Sequence, residues 1–97
     1  MAIYVGLLNW TEQGIRAAKD TVKRADTLKG SAEKANCKVH EVLWTMGPYD
    51  ALVIYEAPSD QAASALTIAL GMQGHVRTLT MRAYTREEMA KIVAGLP

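Results

Sequence analysis

The sequence predicts an α+β fold in which one four-stranded antiparallel sheet is backed by two helices. Three observations carry the prediction. Two short, continuously apolar runs, Ile3 to Leu8 and Ala51 to Tyr55, have the length and side chains of strands buried on both faces. Two further strand-like runs, Val39 to Met46 and Val76 to Tyr84, mix polar with apolar residues, as strands at a sheet edge do. Two segments of helical period lie between these strands, each opened by a capping residue. The 97 residues suffice for a single domain spanning 1–97 with one core.

In the first strand Gly6 interrupts the run, and a mid-strand glycine commonly marks close approach by another group. Thr11 is placed as an N-cap, with Glu12 where the helix dipole favours an acid. Ile15, Ala18, Val22, Ala25, Leu28, Ala32 and Ala35 then recur at roughly helical spacing, which predicts one helix from Glu12 to Ala35. Asp20-Thr21 can recap it, so a kink belongs there, and Asn36 can close it in the left-handed region. The second strand divides Val39, Glu41, Leu43 and Thr45 from His40, Val42, Trp44 and Met46. Gly47-Pro48-Tyr49-Asp50 is the hairpin corner that follows. Pro48 has φ set for the second turn position, Gly47 relieves crowding before it, and Asp50 can accept backbone N–H bonds at the turn.

After Ala51 to Tyr55, Pro58-Ser59-Asp60 opens the second helix with Ser59 as N-cap. Ala63, Leu66, Ile68 and Leu70 carry its apolar surface, and Gly71 or Gly74 ends it. The fourth strand leads to Thr85-Arg86-Glu87-Glu88, a capping box, and a short last helix with Met89, Ile92 and Val93 on one side. The order is the split βαβ arrangement of ferredoxin-like folds, βαββαβ with strand order 4-1-3-2 and an added C-terminal helix. That topology centres the first and third strands, which are the continuously apolar ones, so local pattern and topology agree. The helices cover one face of the sheet. The second face of the central strands is apolar too, and a homodimer with its sheets face to face is expected to cover it. Edge strands leave room for a higher oligomer.

The net charge of +1 gives no global attraction to nucleic acid or anionic membrane, and no apolar run reaches the length of a membrane span. Met1-Ala2-Ile3-Tyr4 lacks the basic leader of a signal peptide, so a cytoplasmic location is expected, with no nucleic-acid or membrane partner. Cys37, the one cysteine, follows a helix end where a thiolate is disfavoured, which makes it structural. With His40 and His75 it provides no metal-binding spacing. Gly71-x-x-Gly74 precedes no helix and is no phosphate loop. No cofactor, metal ligand or catalytic residue is assigned. Arg16, Lys19, Lys23, Arg24, Lys29 and Lys34 alternate with acids on the first helix and read as a solvated face.

Tyr4 and Tyr55 stand on the central strands, where a buried hydroxyl needs a partner. If they share a face with Thr78, Thr80 and Arg82, that face is polar yet covered, as in a cavity between two sheets. Tyr4, Tyr55, Thr80 and Arg82, with Trp44 and His40, are therefore the candidate ligand-binding residues, and Tyr4, Tyr55 and Arg82 are expected to line a shared cavity on the face away from the helices. Arg82 there would prefer a carboxylate or another anion. The plainer alternative is a water-filled interface without a ligand. Two functions fit. One is a homodimeric module that holds a small molecule between its sheets or serves assembly alone. The other is a cofactor-free enzyme of isomerase or monooxygenase type, acting on a small organic substrate. Such an enzyme needs a group of tuned pKa in the cavity, and His40 is the imidazole in the body of a strand.

The corner Gly47-Pro48-Tyr49-Asp50 matches the Gly-x-Tyr-Asp motif of the GYD-domain family, which the chain resembles over nearly its whole length. Leu7 to Gly14 is similar to that family's first strand and helix opening, Glu56 to Asp60 to its exit from the third strand, and Gly74 to Thr78 to its lead-in to the fourth. At position 75 Asn is the more usual residue. The resemblance implies a dimeric α+β barrel and no particular activity. A looser likeness runs to the effector domains of leucine-responsive, AsnC-type regulators, which bind small metabolites such as amino acids between subunits. This chain has no helix-turn-helix segment and would be a stand-alone effector module at most.

Overall fold

Strand and helix signals are realised in the expected order, as a computed structural model describing all 97 residues shows. Strand β1 (Ala2–Trp10) is followed by helices α1 (Glu12–Arg16) and α2 (Thr21–Lys34), then by strands β2 (Lys38–Trp44) and β3 (Ala51–Ala57). Helix α3 (Asp60–Met72), strand β4 (Val76–Ala83) and helix α4 (Arg86–Ala94) complete the chain. The capping chemistry explains where the helices begin. Thr11 Oγ1 accepts from the Gly14 N–H at 3.0 Å, and Ser59 Oγ from the Ala62 N–H at 3.1 Å. Thr85 and Glu88 form both arms of the capping box at the head of α4. Asn36, at φ 60°, closes the segment after α2 in the left-handed region.

The helix expected from Glu12 to Ala35 is broken. α1 stops at Arg16, Ala17 turns to φ −100° and ψ 25°, and a 3-10 turn over Ala18–Asp20 precedes α2. Asp20 stands at the N-cap position of α2 but makes no side-chain capping bond, so the recapping read from its identity does not occur.

The sheet is antiparallel in the order β2-β3-β1-β4, the expected order read from its other edge. Tyr4 lies opposite Tyr55 and Arg82, and Gly6 opposite Val53 and Thr80. A bulge between Val39 and Glu41 resets the phase of β2, so Val39, Val42 and Trp44 pair with Tyr55, Val53 and Ala51. The simple alternation read from the sequence put Val39 with Glu41 on one side; the extra residue, His40, overturns that. Gly6 admits no close neighbour: a Cβ there would stand 3.8 Å from Leu8 and Thr80, an ordinary contact.

α2 packs on β2, and α3 on β3 and β4, all on one face. Tyr4, Leu8, Val53 and Tyr55 from the central strands meet Ala32, Cys37 and Ala63 there. Burial pushes the Cys37 thiol up, in keeping with a structural cysteine. Only 11 of 97 residues are buried, because the chain's own helices leave the opposite face of the sheet uncovered. Ile3, Val5, Leu7, Leu52 and Ile54 line that open face half-buried, and Leu79 and Met81 are 50% and 46% exposed on it. α4 extends away from the sheet with Met89, Ile92 and Val93 exposed, which lengthens the molecule to 51 × 31 × 18 Å. No helix is long and apolar enough to cross a membrane.

Candidate functional site

The expected ligand-binding residues are divided between the two faces of the sheet. Tyr4, Tyr55, Thr80, Arg82 and Trp44 lie on the face covered by the helices, not on the face away from them. The reason is the phase of the central strands. Both of their faces are apolar, so the period-2 pattern does not say which set the helices cover, and polar tips alone pointed the wrong way. His40 is the exception. Its Nε2 lies 2.6 Å from Glu56 Oε2 on the open face, at the edge of the sheet, with the side chain 39% exposed. The sheet itself therefore separates His40 from Tyr4 and Arg82.

On the covered face an open groove of ≈ 460 Å³ runs between the β1–β4 side of the sheet and α3. Tyr4, Asp60, Ser64, Thr67, Thr80 and Arg82 supply its polar lining. The register explains the cluster, since Gly6 separates Tyr4 from Leu8 on this face and Arg82 sits directly across from Tyr4. Tyr4 Oη donates to Asp60 Oδ1 at 2.5 Å, and the Tyr4 ring stacks on Tyr55 with centroids 5.5 Å apart. The hydrogen bond to Asp60, aided by burial, pushes the Tyr4 phenol up to about 12. At neutral pH Tyr4 is thus a firmly protonated donor and no general base. Asp60 enters the sequence pattern only as an acid in a first helical turn; its pairing with a tyrosine 56 positions away has no local signal.

Arg82 is already engaged. Its Nη2 donates to Glu88 Oε2 at 3.0 Å, its Nη1 donates to the Ala83 carbonyl, and its guanidinium lies 4.6 Å from the Tyr84 ring centroid. The bond to Glu88 raises the Arg82 pKa further, and the Thr85 backbone N–H, followed by Arg82, lowers that of Glu88. An anion arriving at Arg82 must compete with Glu88, which also caps α4 through its other oxygen. Tyr55 Oη is buried beside the hydroxyls of Thr67 and Thr80 and meets hydrogen-bond geometry with neither. Burial accordingly pushes the Tyr55 phenol up.

The corner Gly47 to Asp50 is structural, by a longer reach than a turn motif requires. Asp50 Oδ2 accepts from the Trp10 N–H at 2.9 Å, and the Asp50 N–H donates to Leu8 O at 2.8 Å. Asn9 Nδ2 donates to Pro48 O at 3.1 Å, and Thr45 closes the loop on Asp50 O and Tyr49 O. Gly47, at φ +101°, is in a conformation that side chains rarely adopt. On the other side of Trp10, the Thr11 N–H donates to His75 O at 3.1 Å and Thr11 Oγ1 to Gly74 O at 2.5 Å. The corner, the end of β1 and the lead-in to β4 are thereby strapped together around Trp10. No three His, Cys, Asp or Glu side chains come together in metal-binding range.

A four-stranded antiparallel sheet with its helices on one face, an apolar second face and a strapped Gly-Pro-Tyr-Asp corner defines a ferredoxin-like α+β domain. The GYD domain profile matches residues 4–93, nearly the entire chain, and the chain belongs to the GYD domain family. No curated protein and no solved structure matched it.

Proposed function

We propose that this GYD domain is an assembly module, a homodimer whose two sheets pack face to face. The open apolar face supports this reading. Strands of seven to nine residues spaced at about 4.8 Å present a footprint of roughly 25 × 19 Å, about 475 Å² per copy. Side-chain relief and the exposed apolar side of α4 bring this toward the roughly 800 Å² per partner of a standard interface. At roughly 25 cal/mol per Å², two such faces contribute at most about 24–40 kcal/mol, against an association cost of about 4–15 kcal/mol and the ordering of side chains at the interface. A two-fold axis satisfies both copies with one self-complementary surface. Sedimentation at micromolar concentration tests the reading: a dimer mass is expected, and a monomer mass refutes it.

A second reading, a small-metabolite site, draws on the groove lined by Tyr4, Asp60 and Arg82. Its hydroxyls and carboxylate suit a small hydrogen-bonding molecule better than a simple anion, because Arg82 is paired with Glu88. Of Tyr4, Tyr55, Thr80, Arg82, Trp44 and His40, one stands on the open face: His40, hydrogen-bonded there to Glu56. The enzymatic alternative has the least support: the groove holds a tightly protonated phenol, and the one imidazole on a strand lies beyond the sheet. Calorimetry with a panel of small polar metabolites, repeated on Asp60→Ala, tests the groove.

A further inference from the structure

The two edges of the sheet are not alike. β2 carries the devices that keep an edge strand unpaired: the bulge at His40 and the exposed charges of Lys38 and Glu41. β4 lacks them over most of its length. It pairs with β1 over eight residues without a register shift, it contains no proline, and Thr78 to Met81 is uncharged. None of the backbone hydrogen bonds made outside the regular elements reaches Val76 to Ala83, so the outward N–H and C=O groups of β4 have no backbone partner. Such an edge is a ready template for another strand.

Apolar side chains flank this bare edge on both faces. Leu79 and Met81 stand exposed on the open face of the sheet, and on α3 Ile68 and Met72 are 63% and 80% exposed. Ile68 and Met72 are four residues apart, on one ridge of α3, and they line the two open grooves between α3 and β4. The groove of ≈ 460 Å³ beside Tyr4 and a second of ≈ 410 Å³ share Thr67 and Ile68, so they join into one trough that follows β4 from Arg82 to Val76.

We propose that a second copy of the chain occupies this edge, β4 pairing antiparallel with β4 about a two-fold axis perpendicular to the sheet. With the axis at Leu79, Leu79 meets its own copy, Thr78 meets Thr80 and Arg77 meets Met81, so no like charges are opposed. Arg82 Nη1 already donates to the Ala83 carbonyl, which marks where the pairing ends. The same axis lays the two α3 helices side by side above the joined strands, and the Ile68–Met72 ridges cover each other. A lone peptide strand would satisfy the edge and leave that ridge bare; a second copy covers both with one self-complementary patch. At about 3.3 Å per residue the strand contributes roughly 25 Å of length, and a width of roughly 15 Å makes the contact about 375 Å² per copy. That is small for a protein interface, so it forms at higher concentration than the open face requires. It leaves the open face free, neither needing nor excluding sheet-on-sheet pairing, and it gives the groove at Tyr4 and Asp60 the wall it lacks.

Sedimentation of the chain from about 10 µM to about 1 mM separates the two surfaces. The mass at the dilute end tests the open face, and a doubling of that mass toward the concentrated end tests the edge. The doubling is expected in the wild type, lost in Ile68→Glu, and kept in Val22→Glu, whose side chain is exposed on α2 above the other edge of the sheet. Amide exchange over the same range identifies the strand. Alternate amides of β4 between Arg77 and Met81 should exchange freely in dilute protein and slow at least about threefold in concentrated protein. A mass that stays constant leaves the edge to an extended segment of another protein and overturns the proposal. A doubling that survives Ile68→Glu, or one that leaves those alternate amides unprotected, places the association on another surface and overturns it as well.

Discussion

A Cβ at Gly14 would stand 1.9 Å from the His75 carbonyl oxygen, because the Thr11 hydrogen bonds draw the start of α1 onto the lead-in to β4. Gly14→Ala should therefore cost about 2–3 kcal/mol, with a fall in Tm of roughly 10 °C or more. Gly30, inside α2, has nothing within 4 Å of its Cβ position, so Gly30→Ala should instead stabilise by about 0.5–1 kcal/mol. Thermal unfolding of the two variants must move in opposite directions. Tyr4 makes a different prediction. Its folded pKa, about 12, lies above the ordinary 10.0, so the stabilisation it provides is complete below pH 10 and is lost as pH rises toward 12. Urea unfolding across that window should show a steeper loss of stability in the wild type than in Tyr4→Phe. Equal slopes would mean that the Asp60 hydrogen bond does not hold the proton.

The elements are joined by a few long-range ties, and the corner between β2 and β3 is the clearest. It is clipped to β1 by the Asp50 carboxylate and the Asn9 amide, so the hairpin end and a neighbouring strand end move as one unit. Asp50→Ala leaves the Trp10 N–H without its acceptor and should cost about 1–2 kcal/mol. Asp50→Asn keeps an acceptor oxygen and should lose about half as much. Amide exchange at Trp10 is the direct readout: it should speed up in Asp50→Ala, and unchanged protection there would contradict the tie. α4 is secured differently. Glu88 closes the capping box with one oxygen and holds Arg82 with the other, so the helix is anchored at its head while its apolar side stays open.

For the molecule as a whole, the two faces of the sheet make separable predictions. Val5 lies at the centre of the open face, across from Ile54 and Met81, whereas Val53 is 5% exposed beneath the helices. Val5→Glu should yield a folded monomer, with an unchanged circular dichroism spectrum and half the sedimenting mass. Val53→Glu buries an unpaired charge and should prevent folding. A Val5→Glu protein that remains dimeric would show that association uses another surface.

The sequence by itself determined the features whose physics is local. Thr11, Ser59 and Thr85 cap backbone N–H groups three residues ahead, so the starts of α1, α3 and α4 were legible. Strand order followed from which runs are continuously apolar, and the corner followed from Gly47 and Pro48. The break after Arg16 was less legible, because the helical spacing continues across it and the capping expected of Asp20 does not form. Only the tertiary structure decided which face of the sheet the helices cover, and with it the place of Tyr4, Tyr55, Thr80, Arg82 and Trp44. A strand apolar on both sides carries no phase, and the bulge at His40 erased what phase β2 had. The candidate site depends on the same kind of information. Tyr4 meets Asp60 across 56 positions, and Arg24, one of six basic residues on an apparently solvated stretch, turns inward because the chain breaks at Ala17 and offers its carbonyl there. Contacts between residues distant in sequence leave no period or spacing to read, so they exist only once the helices have docked.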